Sequence, residues 1–574
     1  MGDSIPLEDL KKGADMENTQ HSGEPMGVDS YFSSLDFSQD HEYINDYGLQ
    51  TDTHHQEELR LLAQMGDLDD LHFDIVSPPF QAFEEENTIL SSDKPHTSQP
   101  YDPQSGCYSF PSLSLGILKS CRSRVAASNG RKVNELFSGS QQQPTPLPQL
   151  STNHIIELAA GNFLHSYAAT KNEPSATDHP YASSLLGLST DNGKDVQLVQ
   201  DLLSCAEKVG NKQYKCASKL LEEVTKLSSD KISTIQRLVH CFAEALKEKI
   251  DRETGRISGE GKFSFNMIAA SSATAALQRN LPVTQVAQFT CIQTIMDHLS
   301  SSRKLHIIDL EIHCGLLMVI LMQELASRSD DPIEHFKITV VATNSISLIE
   351  ETGIRLKGVA ESLKLNFSFH VVMLEDIISQ PQNLFHLDAD ESVIVHAAYA
   401  LQYMISKPSQ LETLMRSIRW TKPRVMIITE TESNVNSPIF VNRFVEAFFY
   451  FDAFFDCIGD CLKNDTADRM LAESSLFNPV IRNIVATEGE DRNVRTVDIN
   501  IWRTFFARFG MIETELSKAA INQARLICKK KEFGDSCTLG LRGNCLTLGW
   551  KGTPVCSISA WKFHGRRSMR RFGM

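Results

Sequence analysis

The residues best placed to do chemistry are acids, a histidine and a glycine at the ends of apolar runs. Asp309 closes the run Leu305-His306-Ile307-Ile308-Asp309, and Leu310-Glu311-Ile312-His313-Cys314-Gly315 follows it. An acid closing a strand, then a glycine opening a helix, is where a doubly wound fold binds a dinucleotide or S-adenosylmethionine. Close backbone approach to such a cofactor needs a glycine-rich turn, and Gly315 is the one glycine in this turn. A ribose-binding acid is expected after the second strand, yet Val341 is followed by Ala342-Thr343-Asn344. Both deficits weigh against a bound cofactor, and none is expected.

The other candidates are weaker. Glu430 and Glu432 lie just past a strand end and could pair for acid–base work. With no nucleophile or metal-ligand cluster beside them, capping or ordering a loop is the favoured reading. His306, inside an apolar run, reads as a satisfied core histidine. Cys457 and Cys461 share one helix face without a third or fourth ligand, so no metal site is expected. The chain is not expected to be an enzyme.

The elements that would position these residues follow from periodicity. Leu198, Leu202, Cys205, Ala206 and Val209 share one helical face, and Gly210-Asn211 ends that helix. Leu220, Leu221, Val224 and Leu227 mark a second helix; Ile235, Leu238, Val239, Phe242 and Leu246 mark a third. Short connections make these an antiparallel helical unit, its leucines either core or a dimer seam. Apolar runs at 305–309, 337–341, 367–372, 392–396 and 425–429 read as buried strands. Helical patterns at 316–326, 349–363 and 411–418 lie between them. Strands alternating with helices predict a doubly wound, mostly parallel α/β sheet with helices on both faces and an N-terminal helical cap. Phe444, Phe448, Phe451 and Phe455 follow helical spacing with Phe449, Tyr450 and Phe454 beside them. That helix is either buried or grooved for a partner.

Charge divides the chain. Residues 1–90 hold 21 acidic and three basic side chains; the whole chain is at −16, so the remainder is close to neutral. Residues 1–114 mix acids, Ser, Gln and Pro with isolated aromatics and are expected to be disordered. Leu68-Asp69-Asp70-Leu71-His72-Phe73-Asp74 alternates bulky apolar and acidic side chains, the composition of an activation segment or simply of a solvated tail. Lys119, Arg122, Arg124, Arg131 and Lys132 could form a nuclear-import signal. A Gln/Pro linker at 141–150 and a short amphipathic helix at 155–168 follow. Lys529-Lys530-Lys531 and the terminal Arg566, Arg567, Arg570 and Arg571 offer phosphate-binding charge, without any base-reading motif. Thirteen cysteines without a Cys-x-x-Cys pair imply free thiols in a reducing compartment. Neither a secretory signal nor a membrane-spanning window is seen.

Taken in order, these blocks resemble the GRAS family of plant regulators, over roughly residues 194–563. The leucine-rich helices at 198–250 correspond to the family's first leucine-rich region. Leu305-His306-Ile307-Ile308-Asp309 is a one-residue variant of its Val-His-Ile-Ile-Asp signature. Residues 348–377 and 392–420 resemble the second leucine-rich region. Asn436-Ser437-Pro438 with Asn442-Arg443-Phe444 is similar to the next block. Arg492 and Arg495, then Trp502 with Gly510, and Trp550 with Trp561, keep the spacing of the closing motifs. The family's Arg-Glu pair falls on Pro479 and Val480, and its acidic and histidine positions are Val494, Thr496 and Val497. No Asp-Glu-Leu-Leu-Ala motif occurs, so a gibberellin-receptor switch is not implied.

The resemblance implies a methyltransferase-like (Rossmann-like) fold that has lost catalysis and serves as a nuclear transcriptional co-regulator. It implies docking on DNA-binding factors of the zinc-finger type, homo- or heterodimers within the family, indirect contact with DNA, and no membrane. Leu198, Leu202, Leu220, Leu238, Phe444 and Phe448 are the candidate partner-binding side chains. The expected division is 1–150 arm and linker, 151–193 short helix and linker, 194–563 folded domain (helical cap 194–260, α/β core 261–563) and 564–574 basic tail. The rivals are a methyltransferase using Asp309 and Gly315, and a direct DNA binder using the terminal arginines and the lysine run.

Overall fold

A computed structural model describes residues 151–169 and 190–564, apart from 229–232, 258–266, 300–301, 330, 344–345, 380–383, 389 and 531–532. The acidic arm, the basic groups at 119–132, Lys531 and the terminal arginines lie outside the described residues.

The helical cap forms as the periodicity predicts. Helix α1 spans Thr152–Ala169, α2 Thr190–Gly210, α3 Tyr214–Leu227 and α4 Thr234–Glu253. Leu198, Leu202, Cys205, Ala206 and Val209 are all buried on α2. On α3 the apolar face is narrower than expected: Leu221 and Val224 are buried, Leu220 is half-buried and Leu227 is 63% exposed. Ser233 caps α4, its hydroxyl accepting from the Gln236 N–H at 3.1 Å. Helix α1 packs on α2, and its Thr152 hydroxyl donates to Asp456 at 2.7 Å, a carboxylate that also accepts from the Trp550 indole.

Helices α5 (Met267–Asn280) and α6 (Pro282–His298) lead into β1 (Lys304–Asp309). Then α7 (Leu316–Ala326), β2 (His335–Ala342), α8 (Ile346–Ser362), β3 (Phe367–Met373), α9 (Leu374–Ser379) and β4 (Glu391–Ala398) follow. Next come α10 (Pro408–Thr421), β5 (Val425–Thr431) and the aromatic helix α11 (Phe440–Cys461). All five expected strands form, in the order β3-β2-β1-β4-β5, and every pairing among them is parallel. Leu305, Ile307 and Ile308 are all fully buried, so β1 reads as an unbroken apolar run because helices cover both its faces.

The sheet continues past β5 as an antiparallel extension that periodicity did not predict. After α12 (Thr466–Ala472), a π-helical turn at Glu473–Phe477, α13 (Asn478–Ala486) and α14 (Ile499–Ala507) come β6 (Met511–Thr514), α15 (Lys518–Cys528), β7 (Cys537–Arg542), β8 (Cys545–Trp550) and β9 (Thr553–Phe563). Strand β9 lies antiparallel on β5, β8 on β9 and β7 on β8, while β6 pairs with the end of β9. Two-residue turns join β7–β8–β9: Gly543-Asn544, and Lys551-Gly552 with φ of 46° and 90°.

Gly353 shows how tightly α8 rests on β3: a Cβ there would lie 2.5 Å from the Phe369 ring. On an open helix face Gly→Ala would stabilise by about 1 kcal/mol. Here Gly353→Ala is expected to destabilise by about 1–3 kcal/mol in urea titration, because overpacking outweighs propensity. A neutral or stabilised variant would contradict the packing described.

Candidate functional site

The polar centre of the molecule lies where β1 and β4 run side by side and the strand order changes direction, the switch point where such sheets bind ligands. Asp309 closes β1, and His396, two residues before the end of β4, lies opposite it in register. The His396 ring nitrogen Nδ1 meets Asp309 Oδ2 at 2.8 Å, and the other carboxylate oxygen accepts from the Glu311 N–H at 2.9 Å. Burial by itself would push the His396 imidazole down. The Cys291 sulfur and the Asp309 carboxylate beside it more than offset this and hold it well above its usual range. The result is a buried, hydrogen-bonded His396–Asp309 pair.

Glu430 lies within β5, not past its end as the sequence suggests, and Glu432 directly follows the strand; neither acid is free for catalysis. Glu430, 2% exposed, accepts from the Leu401 N–H at 2.8 Å. Burial pushes its carboxyl up to about 8, against the pull of the Leu401, Gln402 and Thr431 backbone N–H groups. Glu432 pairs with Arg542 at 2.8 Å and accepts from the Ile499 N–H at 3.3 Å. Both side chains order loops, as the favoured reading of the sequence has it. His306 is likewise satisfied: its two ring nitrogens meet Glu391 at 3.0 Å and Thr339 at 2.8 Å. Burial, with Lys337 nearby, pushes it down to about 3, so it is neutral.

Gly315 does open α7 with φ of 79°. A Cβ there would sit 2.8 Å from the Thr352 side chain, so the glycine serves the close packing of α7 on α8. Cys457 is buried and Cys461 half-buried, and no group of three or more metal-ligating side chains occurs among the described residues.

Most of the candidate partner-binding apolar side chains are covered from within this chain. Leu198, Leu202, Leu238, Phe444 and Phe448 are all buried within this chain. Phe242 of α4 packs edge-on against Phe444 and Phe448, with centroids 5.3 and 5.1 Å apart. A partner could reach that face only by displacing α4. Leu220 alone of the six stays partly open, because α3 turns its outer edge to solvent.

The remaining signature residues are structural. The Arg492 guanidinium donates to the Val435 carbonyl at 3.2 Å, and Arg495 to the Arg492 and Gly489 carbonyls, both at 3.2 Å. Through Arg492, and through Arg495 reaching the Asn436 side chain at 3.5 Å, the segment after β5, which carries exposed Pro438, is tied to the one before α14. Trp502 and Trp561 meet across Phe506, at 5.5 and 4.8 Å. Gly510, with φ of 68°, turns the chain from α14 into β6. Trp550 donates to Asp456 at 2.8 Å.

Beside the Asp309–His396 pair opens a cavity of about 240 Å³. Its lining joins strand ends, α5, α6, α7, α11 and the π-helical turn. The sequence reading missed His396 and the α6 wall. The signal for the first was present: three neighbouring strands carry Asp309, His396 and Glu430 at or within two residues of their carboxyl ends. The α6 wall is contributed from before the sheet begins, and no local pattern marks it.

Comparison with known proteins agrees with this geometry. The GRAS domain family matches residues 198–562. The DELLA protein RGL1 of Arabidopsis thaliana is 30% identical over 374 residues, covering 64% of this chain and 70% of its own length. The DELLA protein GAI of the same plant is 27% identical over 379 residues, 65% of this chain and 69% of its own. The crystal structure of SCL7 from Oryza sativa superposes with a TM-score of 0.54 at 24% identity, over 64% of this chain and 99% of that one, which establishes the shared fold.

Proposed function

Since the chain belongs to the GRAS domain family of plant transcriptional regulators, we propose that it acts in the nucleus as a co-regulator docking on DNA-binding factors. In this reading the folded domain grips proteins already on DNA, of the zinc-finger type, or a second family member. Residues 1–114 recruit the transcription machinery, and contact with DNA is indirect.

The observation that carries this reading is how the strand-end acids are used. In a methyltransferase the carboxyl ends of β1 and β2 would hold the cofactor's charged and hydroxylated groups. Here Asp309 is engaged by His396 and by its own turn, and β2 ends in Val341 and Ala342. Glu430 and Glu432 are occupied in ordering loops. A domain whose polar strand ends stabilise their own connections suits a binding role better than group transfer.

Two measurements separate the readings. Fused to an unrelated DNA-binding module, residues 1–114 are expected to raise reporter transcription; no increase would remove the arm's proposed role. The full chain on naked duplex is expected to show weak binding, a steep salt dependence and no sequence preference. Sequence-selective binding to bare DNA would overturn indirect contact.

A further inference from the structure

We propose that the cavity beside Asp309 and His396 is a binding site for a neutral, largely apolar small molecule carrying one hydrogen-bond donor–acceptor edge. This goes beyond the docking role and does not depend on it.

The anchor is Gln288 on α6. It is 4% exposed and lines the cavity, yet neither its amide oxygen nor its amide nitrogen has a hydrogen-bond partner among the described residues. An unsatisfied buried donor or acceptor loses its hydration without replacement, so a side chain leaving both unmet is a site waiting for a group that supplies them. A primary amide, a lactam or another planar donor–acceptor edge would pair with both atoms at once.

Charge disfavours an anionic ligand. Among the described residues no lysine or arginine lines the cavity, and its two acids each lie beside a histidine, Asp309 with His396 at 2.8 Å and Glu311 with His313 at 3.8 Å. An anionic group would enter without a counter-charge and would lose its hydration. Glu311, with its side chain 40% exposed, and Tyr403, 38% exposed, sit where the cavity meets solvent.

The opposite wall is apolar. Phe451 and Phe454 of α11 face it, so the aromatic helix divides its work: Phe444 and Phe448 fill the helical cap while the next turns line the cavity. Leu476 and Phe477 come from the π-helical turn, a distortion that recurs at functional sites. Val480 and Val494, with Thr496 between the strand ends and this wall, complete this side. The volume lies just below the usual range of about 300–1,000 Å³ for drug-sized ligands, which fits a molecule of one or two rings.

The test is calorimetry and ligand-observed NMR on the full chain with 2-naphthamide, 2-naphthoate and S-adenosylmethionine. We expect 2-naphthamide to bind in the submillimolar range and 2-naphthoate at least tenfold more weakly. Gln288→Leu should keep the fold and lose at least tenfold in affinity for the amide. Leu476→Trp, which fills the cavity from its half-exposed rim, should also abolish binding and guards against a Gln288 variant that fails to fold. No binding of 2-naphthamide to the wild type, unchanged binding to both variants, or tighter binding of S-adenosylmethionine than of the amide would each overturn the proposal.

Discussion

Arg443→Met is expected to destabilise the domain by about 3–5 kcal/mol in chemical denaturation, the range for removing one partner of a buried charged network. Arg443 is fully buried on α11. It donates through Nε to the Ile484 carbonyl at 2.9 Å, through Nη1 to the Ser437 carbonyl at 2.9 Å, and through Nη2 to Glu488 at 2.6 Å. Methionine fills much of the volume but donates nothing, so the Ile484 carbonyl loses this donor and the Ser437 carbonyl keeps only the longer Arg492 contact at 3.4 Å. Glu488 can compensate in part, because its side chain is 45% exposed and Lys249 also reaches it at 2.6 Å. Burial alone would raise the Glu488 carboxyl, but Arg443 and Lys249 together hold it below the ordinary range. Glu488→Gln should therefore be much milder, about 1 kcal/mol, as expected for a partly hydrated partner. If both variants lost the same amount, the ion pair rather than the carbonyl clamp would be the principal contribution.

Glu430→Gln is expected to make the protein more stable at alkaline pH and to flatten its pH profile. Unfolded, the Glu430 carboxyl titrates near its ordinary 4.5; folded, burial pushes it up to about 8. Between those values the folded state holds a proton that the unfolded state has released, so stability is lost as pH rises from 4.5 through 8. At about 1.4 kcal/mol per pH unit the upper bound for this one group is about 5 kcal/mol, and relaxation of the site will reduce it. Glutamine keeps the oxygen that accepts from the Leu401 N–H and cannot ionise. Subtracting the variant's profile from that of the wild type isolates Glu430 from the other buried acids. The difference should be small at pH 5 and grow by about 2–5 kcal/mol toward pH 9. A flat difference would mean that Glu430 is ionised in the folded protein.

The parallel half of the sheet was legible because four buried strands, with the half-buried edge strand β3, stand in a βα alternation and leave apolar runs. The run Leu305-His306-Ile307-Ile308-Asp309 becomes β1 almost residue for residue. The antiparallel half was not legible by the same rule. Strand β7 has half-exposed or exposed residues at most positions and Gly540 within it, so neither a run nor a clean alternation appears. Its clearest mark is the Gly543-Asn544 turn. The helical leucines were recognised as one-sided, but periodicity states only that a face is covered, not by what. Phe242 turned out to cover Phe444 and Phe448 from within the chain. At the candidate site, Asp309 was found from its place at a strand end. Its engagement by His396 depends on β4 lying next to β1, which is topology and not local pattern. Gln288 carries no sequence signal at all, since an unpaired amide is a property of its surroundings.

The most direct test of the docking role is affinity capture from plant nuclear extract with the full chain as bait, with and without nuclease digestion. The account predicts that sequence-specific DNA-binding proteins are retained and that digestion leaves them bound, because the grip is on protein. Loss of those proteins on digestion, or recovery of none by a folded bait, would contradict it and move the function toward direct DNA binding.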